Sequence, residues 1–164
     1  MAIALESSNK VWQKVKAAVN AGQGANKSFS PAIVEALLEL KKYLATQKNN
    51  PDLQFVGFSA AQVVTNLGYS PDVDACKVYA FVGKNSGTGD GTDSFAGLHD
   101  AVNNASAGLV SALIQDDYDE FALIYPRGLA FGTEVTVSAA TTVLGATESA
   151  EANAFDGFLI IGAP

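Results

Sequence analysis

The sequence holds a single cysteine, Cys76, and a single histidine, His99. That excludes an internal disulfide and a zinc site with the usual four protein ligands, so the fold has to stand on packing. No stretch approaches the ~20 consecutive apolar residues of a membrane-spanning helix. The opening residues, Met1 to Lys10, lack a basic segment followed by a long apolar run, so cytoplasmic synthesis without export and no membrane partner are the expectations. Cations are scarce where they would matter for binding nucleic acid. Residues 85–164 contain no lysine and one arginine, Arg127, against eleven acids, a net of −10; residues 1–84 carry nine lysines against six acids, a net of +3. Neutralising phosphates takes clustered Lys and Arg, so a nucleic-acid partner is not expected.

What is present is ample apolar material. The 164 residues are 48% hydrophobic and 16% charged, with a mean hydropathy of +0.16. This is enough for one ordinary domain, or for a helical segment joined to a β domain. The pattern reads as α+β: a helical N-terminal region over residues 1–72, then an antiparallel β domain over 73–164, forming a sandwich or open barrel.

Around Ser8 to Ala21, the residues Val11, Trp12, Val15, Ala18 and Val19 recur at helical spacing. Ser30-Pro31 supplies an N-cap and a first-turn proline for a second helix with Ile33, Val34, Leu37, Leu38 and Leu44 as its apolar stripe. Leu53 to Phe58 suits a strand or an extended connection, and Ser59 to Gln62 has capping-box spacing for a short helix through Leu67, closed by Gly68. Tyr69 to Asp72 reads as a turn. Alternation begins at Cys76, with Val78, Ala80 and Val82 on one side of a strand. Further strands are expected at Leu109 to Gln115, Glu120 to Tyr125, Glu134 to Ala139 with a continuation to Leu144, and Phe155 to Ile161. Turns are expected at Asp116-Asp117, Pro126 to Gly128 and Ala150 to Ala154. Residues 95–108 read either as a short helix around Leu98 to Asn103 or as a loop.

Candidate chemistry is thin. Gly57-Phe58-Ser59-Ala60-Ala61 has the outline of a degenerate nucleophile elbow, but hairpin patterning follows it instead of a parallel α/β sheet, and a capping role accounts for Ser59. His99 reads as a surface or hydrogen-bonded loop residue, and Cys76 as a small buried hydrophobe. The glycine-rich Gly83 to Asp93 fails as a phosphate loop because Lys84 precedes the glycines. It also fails as an EF-hand on register; a calcium contact by Asp90 and Asp93 is set against a plain projecting loop. Asp116, Asp117, Asp119 and Glu120 read as a solvated turn. No catalytic residue, metal or other cofactor is therefore expected.

The second half is rich in small residues: 37 of its 80 are Ala, Gly, Ser or Thr. Surfaces of this kind let sheets and subunits approach closely. The runs Phe121 to Gly128, Glu134 to Val137 and Ala154 to Ile161 resemble the small β domains of tailed-phage virion proteins, particularly head decoration or cement proteins. The resemblance implies a non-enzymatic protein, located in the virion, that binds a capsid lattice or other virion protein, commonly as a homo-oligomer, and stabilises the shell. The competing expectation is a ligand- or glycan-binding β domain, or a small hydrolase using Ser59 or a carboxylate pair. The interface residues expected under the leading reading are Ala2, Ile3, Ala4 and Leu5, adding a strand to a neighbour's sheet edge, together with Trp12.

Overall fold

The computed structural model describes residues 5–20, 29–47, 51–63, 69–85, 94–102, 108–114, 119–140 and 155–164. Its elements in chain order are α1 (Ser8–Asn20), α2 (Pro31–Ala45), β1 (Leu53–Phe58), α3 (Ala60–Val63), β2 (Cys76–Asn85), β3 (Ser94–Asp100), β4 (Val110–Ile114), β5 (Glu120–Phe131), β6 (Val135–Ala140) and β7 (Phe155–Gly162). The strands form two antiparallel sheets, a four-stranded one in the order β1-β7-β2-β5 and a three-stranded one in the order β4-β3-β6. This is the expected α+β architecture with N-terminal helices. The boundary at residue 72 falls between β1 and β2, both strands of the larger sheet.

Two apolar cores separate three layers. Val56, Val78, Phe81, Phe131, Leu159 and Ile161 of the larger sheet meet Leu98, Val135 and Val137 of the smaller one. On the larger sheet's other face, Ala80, Val82, Phe158 and Ile160 pack under Val11, Val15, Leu37 and Leu40 of the helices. Strands covered on both faces carry few charges, which is why β2 and β7 read as near-continuous apolar runs.

In α1 the buried residues are Val11, Trp12, Val15 and Val19, as the spacing predicts. In α2 they are Ile33, Leu37, Leu40 and Leu44. Leu38, expected in the core, is instead 49% exposed. A helix shows its sheet a stripe roughly 100° wide, and Leu38 lies one residue-step of rotation beyond Leu37, off its edge. Ser30 holds the N-cap position of α2 without a side-chain capping bond.

The strand begun at Cys76 departs from simple alternation. Cys76, Val78 and Phe81 face the smaller sheet while Ala80 and Val82 face the helices. The register breaks between Val78 and Ala80 on both flanks. A bulge at Tyr79 inserts one residue against β7, and one extra residue exchanges the faces of everything after it. Opposite it on β5, Tyr125 to Gly128 lie between the paired residues Ile124 and Leu129. The expected turn at Pro126 to Gly128 is thus a bulge within a strand that runs on to Phe131, with Gly128 at φ +77°. Residues 95–100 are strand β3, not a helix or loop.

The single-turn helix α3 is described only as far as Val63, and 64–68, 86–93, 115–118 and 141–154 lie outside the described residues. The expected closure at Gly68, the glycine-rich loop, the Asp116-Asp117 and Ala150 to Ala154 turns and the extension to Leu144 therefore fall there. The expected turn at 69–72 is not a backbone-bonded one: Tyr69 pairs with Val137 in an antiparallel bridge, and the bend beyond it is held by the Asp72 N–H, which donates to Ser70 Oγ at 3.0 Å with Asp72 at φ 55°.

Candidate functional site

The three side chains weighed as nucleophile or base, Ser59, Cys76 and His99, are committed to the fold. Ser59 is exposed at the start of α3, where its hydroxyl donates to Gln62 Oε1 at 3.1 Å and its N–H donates to the same oxygen at 2.8 Å. This is the back-reaching half of a capping box, the role the spacing predicts. Cys76 is fully buried. Burial first, and the negative charge of Asp100 second, push its thiol up to about 11, the reverse of what a nucleophile needs.

His99 is the main correction. It is neither on the surface nor in a loop but in the middle strand of the smaller sheet, 1% exposed. One ring nitrogen, Nε2, lies 2.6 Å from Ser138 Oγ, and Gly97 and Gly108 supply the space beside the ring. A polar side chain this deep in a sheet has to be hydrogen-bonded, and the Ser138 hydroxyl on β6 meets that need.

Nor is the acidic cluster simply a solvated turn. Asp116 and Asp117 lie outside the described residues, but Glu120 reaches across the larger sheet's edge. Both its carboxylate oxygens accept the Ser30 N–H at 3.0 Å, and Lys84 Nζ stands 3.7 Å away. Glu120 thus holds the N-terminus of α2 from the sheet side, in place of a Ser30 hydroxyl cap. Asp100 performs a similar office at the junction of β5 and β6. Burial raises its pKa, but hydrogen bonds from the backbone N–H groups of Gly132, Thr133 and Glu134 outweigh this and hold the carboxyl below its ordinary range. Among the described residues no three His, Cys, Asp or Glu side chains group to hold a metal ion.

Of the residues expected at an interface, Ala2, Ile3 and Ala4 lie outside the described residues. Leu5 is 41% exposed. Its neighbour Glu6 exchanges two backbone hydrogen bonds with Leu53, at 2.7 and 3.1 Å, and so pairs with the outer edge of β1 in its own chain. Trp12 is nearly buried and forms part of the wall of a groove of about 520 Å³ between α1 and α2.

A second exposed apolar strip lies on the opposite side of the molecule, at β4 of the smaller sheet. Residues of the smaller sheet that alternate with the core positions are Phe95, Gly97 and His99 on β3, Leu109, Ser111 and Leu113 at β4, and Thr136, Ser138 and Ala140 on β6. No Lys, Arg, Asp or Glu stands among them. The β6 positions and His99 are buried, whereas Leu109 and Leu113 are 49% and 50% exposed. The uncharged alternation of 109–113 and 135–140 is visible in the sequence, but assigning its faces needs the pairing of β3, whose own run shows no clear period. No family model, curated protein or solved structure matches this chain.

Proposed function

We propose that this protein is a non-enzymatic structural component of a virion that binds and stabilises a capsid lattice in the manner of a decoration or cement protein. The observation that carries the reading is the apolar pair Leu109 and Leu113 at β4 of the smaller sheet, 49% and 50% exposed on either side of Ser111. A solvent-facing sheet surface ordinarily alternates apolar-in with charged or polar-out. Depletion of charge at the centre of a patch is the compositional mark of protein contact surfaces. Ser111, half-buried between the two leucines, adds neither bulk nor charge to that strip. The polypeptide would act as a lattice clamp, its affinity drawn from buried apolar area.

The test is co-sedimentation of the purified chain with expanded phage heads from the genome that encodes it, for the wild type and for a Leu109→Lys/Leu113→Lys double variant. The wild type is expected in the pellet at saturable stoichiometry, and the folded double variant in the supernatant. Wild-type protein that stays in the supernatant, or a variant that pellets equally, overturns the reading.

A further inference from the structure

We infer that the groove between α1 and α2 is a second docking site, built for an amphipathic helix of a partner protein that carries acidic residues along both flanks of its apolar face. α1 rests on β1 and α2 on β5, the two outer strands of the larger sheet. Strands lie ~4.8 Å apart, so three intervals set the helix axes roughly 14 Å apart, against 8–10 Å for closely packed helices. The opening is too narrow to admit a third helix into the layer. It is wide enough to receive the side chains of a helix laid along the top.

The walls suit that use. Trp12, Val15, Val34 and Leu38 line the groove, and Leu38 is the residue of α2 that the fold leaves off its core stripe. The lips are cationic and lie on opposite sides: Lys16 on α1 and Lys41 on α2, with no carboxylate in the lining among the described residues. Neither lysine makes an ion pair with another described residue, whereas Lys14 is paired with Glu6 and Lys42 with Glu39. α1 contains three lysines and no acid. An apolar trough between two unpaired cations is complementary to a helix with apolar residues at i, i+3, i+4 and i+7 and carboxylates beside them. This site lies across the molecule from the exposed leucines of β4 and does not depend on the capsid reading.

Trp12 is the chain's sole tryptophan, so its fluorescence reports occupancy directly. The probe is a synthetic helical peptide of about four turns, with leucines at that spacing flanked by glutamates, titrated into the full chain. A second peptide has lysines in place of the glutamates. The acidic peptide is expected to shift Trp12 emission saturably. Binding should weaken roughly tenfold in Lys16→Glu/Lys41→Glu, since two exposed ion pairs reverse sign. It should be lost in Leu38→Asp, and the lysine peptide should bind the charge-reversed variant better than the wild type.

Three results overturn the inference: no shift with the acidic peptide, equal response to both peptides, or self-association of the free chain that Leu38→Asp abolishes, which would make the occupant a second copy. Circular dichroism of each variant confirms that the fold is retained, and the exposure of Leu38 makes Leu38→Asp a mild change.

Discussion

Gly83 and Gly157 sit directly opposite each other on β2 and β7. Around them Phe58, Phe81, Phe121 and Phe155 pack edge-on or tilted, with ring centroids 4.8 to 6.2 Å apart. A Cβ on Gly157 would stand 2.0 Å from the Val82 carbonyl oxygen and 2.8 Å from the Phe58 ring. Backbone cannot yield as a side-chain tip can, so Gly157→Ala is expected to cost about 3 kcal/mol in urea unfolding. Gly57→Ala, whose nearest neighbour is a Phe55 ring atom at 3.4 Å, should stay within about 0.5 kcal/mol. Cys76 gives a prediction of opposite character. Its thiol is raised to about 11 in the folded protein, above the ~8.5 of an unfolded chain. Between those values the unfolded state gives up the proton while the folded state keeps it, so stability falls as pH rises through this window. The stability advantage of the wild type over Cys76→Ala should therefore shrink from pH 8.5 to 11 in equilibrium unfolding. These roles differ in how far residues alone announce them: the burial of Cys76 was legible from the apolar run around it, but a glycine opposite a glycine is a fact of register, which periodicity does not contain.

Elements whose faces differ were legible, and those whose faces are alike were not. The helices α1 and α2 stand on one apolar side, so a 3.6-residue period located them. β3 is covered on both sides and mixes Gly97, His99 and Asp100 into a short run, so neither an alternating nor a helical period stands out. The β2 bulge hid for a related reason: with apolar residues on both faces, the exchange after Tyr79 left no mark in the hydrophobic pattern. The missed element contact with the clearest consequence is Glu120 on the N-terminus of α2. A carboxylate accepting the Ser30 N–H complements the positive end of the helix as well as satisfying a donor. Glu120→Ala is expected to destabilise the protein by about 1–2 kcal/mol. Amide exchange should quicken selectively in the first turn of α2 and leave α1 unchanged. Uniform acceleration across both helices would assign Glu120 a general packing role instead.

At the scale of the whole molecule, the three layers give two outward surfaces of opposite chemistry. The helix layer presents Lys16 and Lys41 around an apolar groove; the far sheet presents Leu109 and Leu113 at β4. The sequence disclosed the raw asymmetry as +3 against −10, but not that, among the described residues, no acid alternates with the core positions of the smaller sheet, because that follows from which residues β3 and β6 align. The two surfaces should answer differently to salt. Ion pairs at exposed lips are screened once the Debye length drops from ~10 Å at 0.1 M to ~3 Å at 1 M. Burial of apolar area is not weakened by this and is strengthened by excluded salts such as sulfate. Raising sodium chloride from 0.1 to 1 M should therefore weaken peptide binding in the groove by roughly tenfold, while attachment through the sheet face persists and tightens in ammonium sulfate. Because the surfaces lie on opposite sides with no shared residue, Leu38→Asp and Leu109→Lys/Leu113→Lys should each abolish one attachment and leave the other at its wild-type strength. Loss of both attachments in either variant, with the fold intact by circular dichroism, would mean that helices and sheet meet the same partner as one continuous surface.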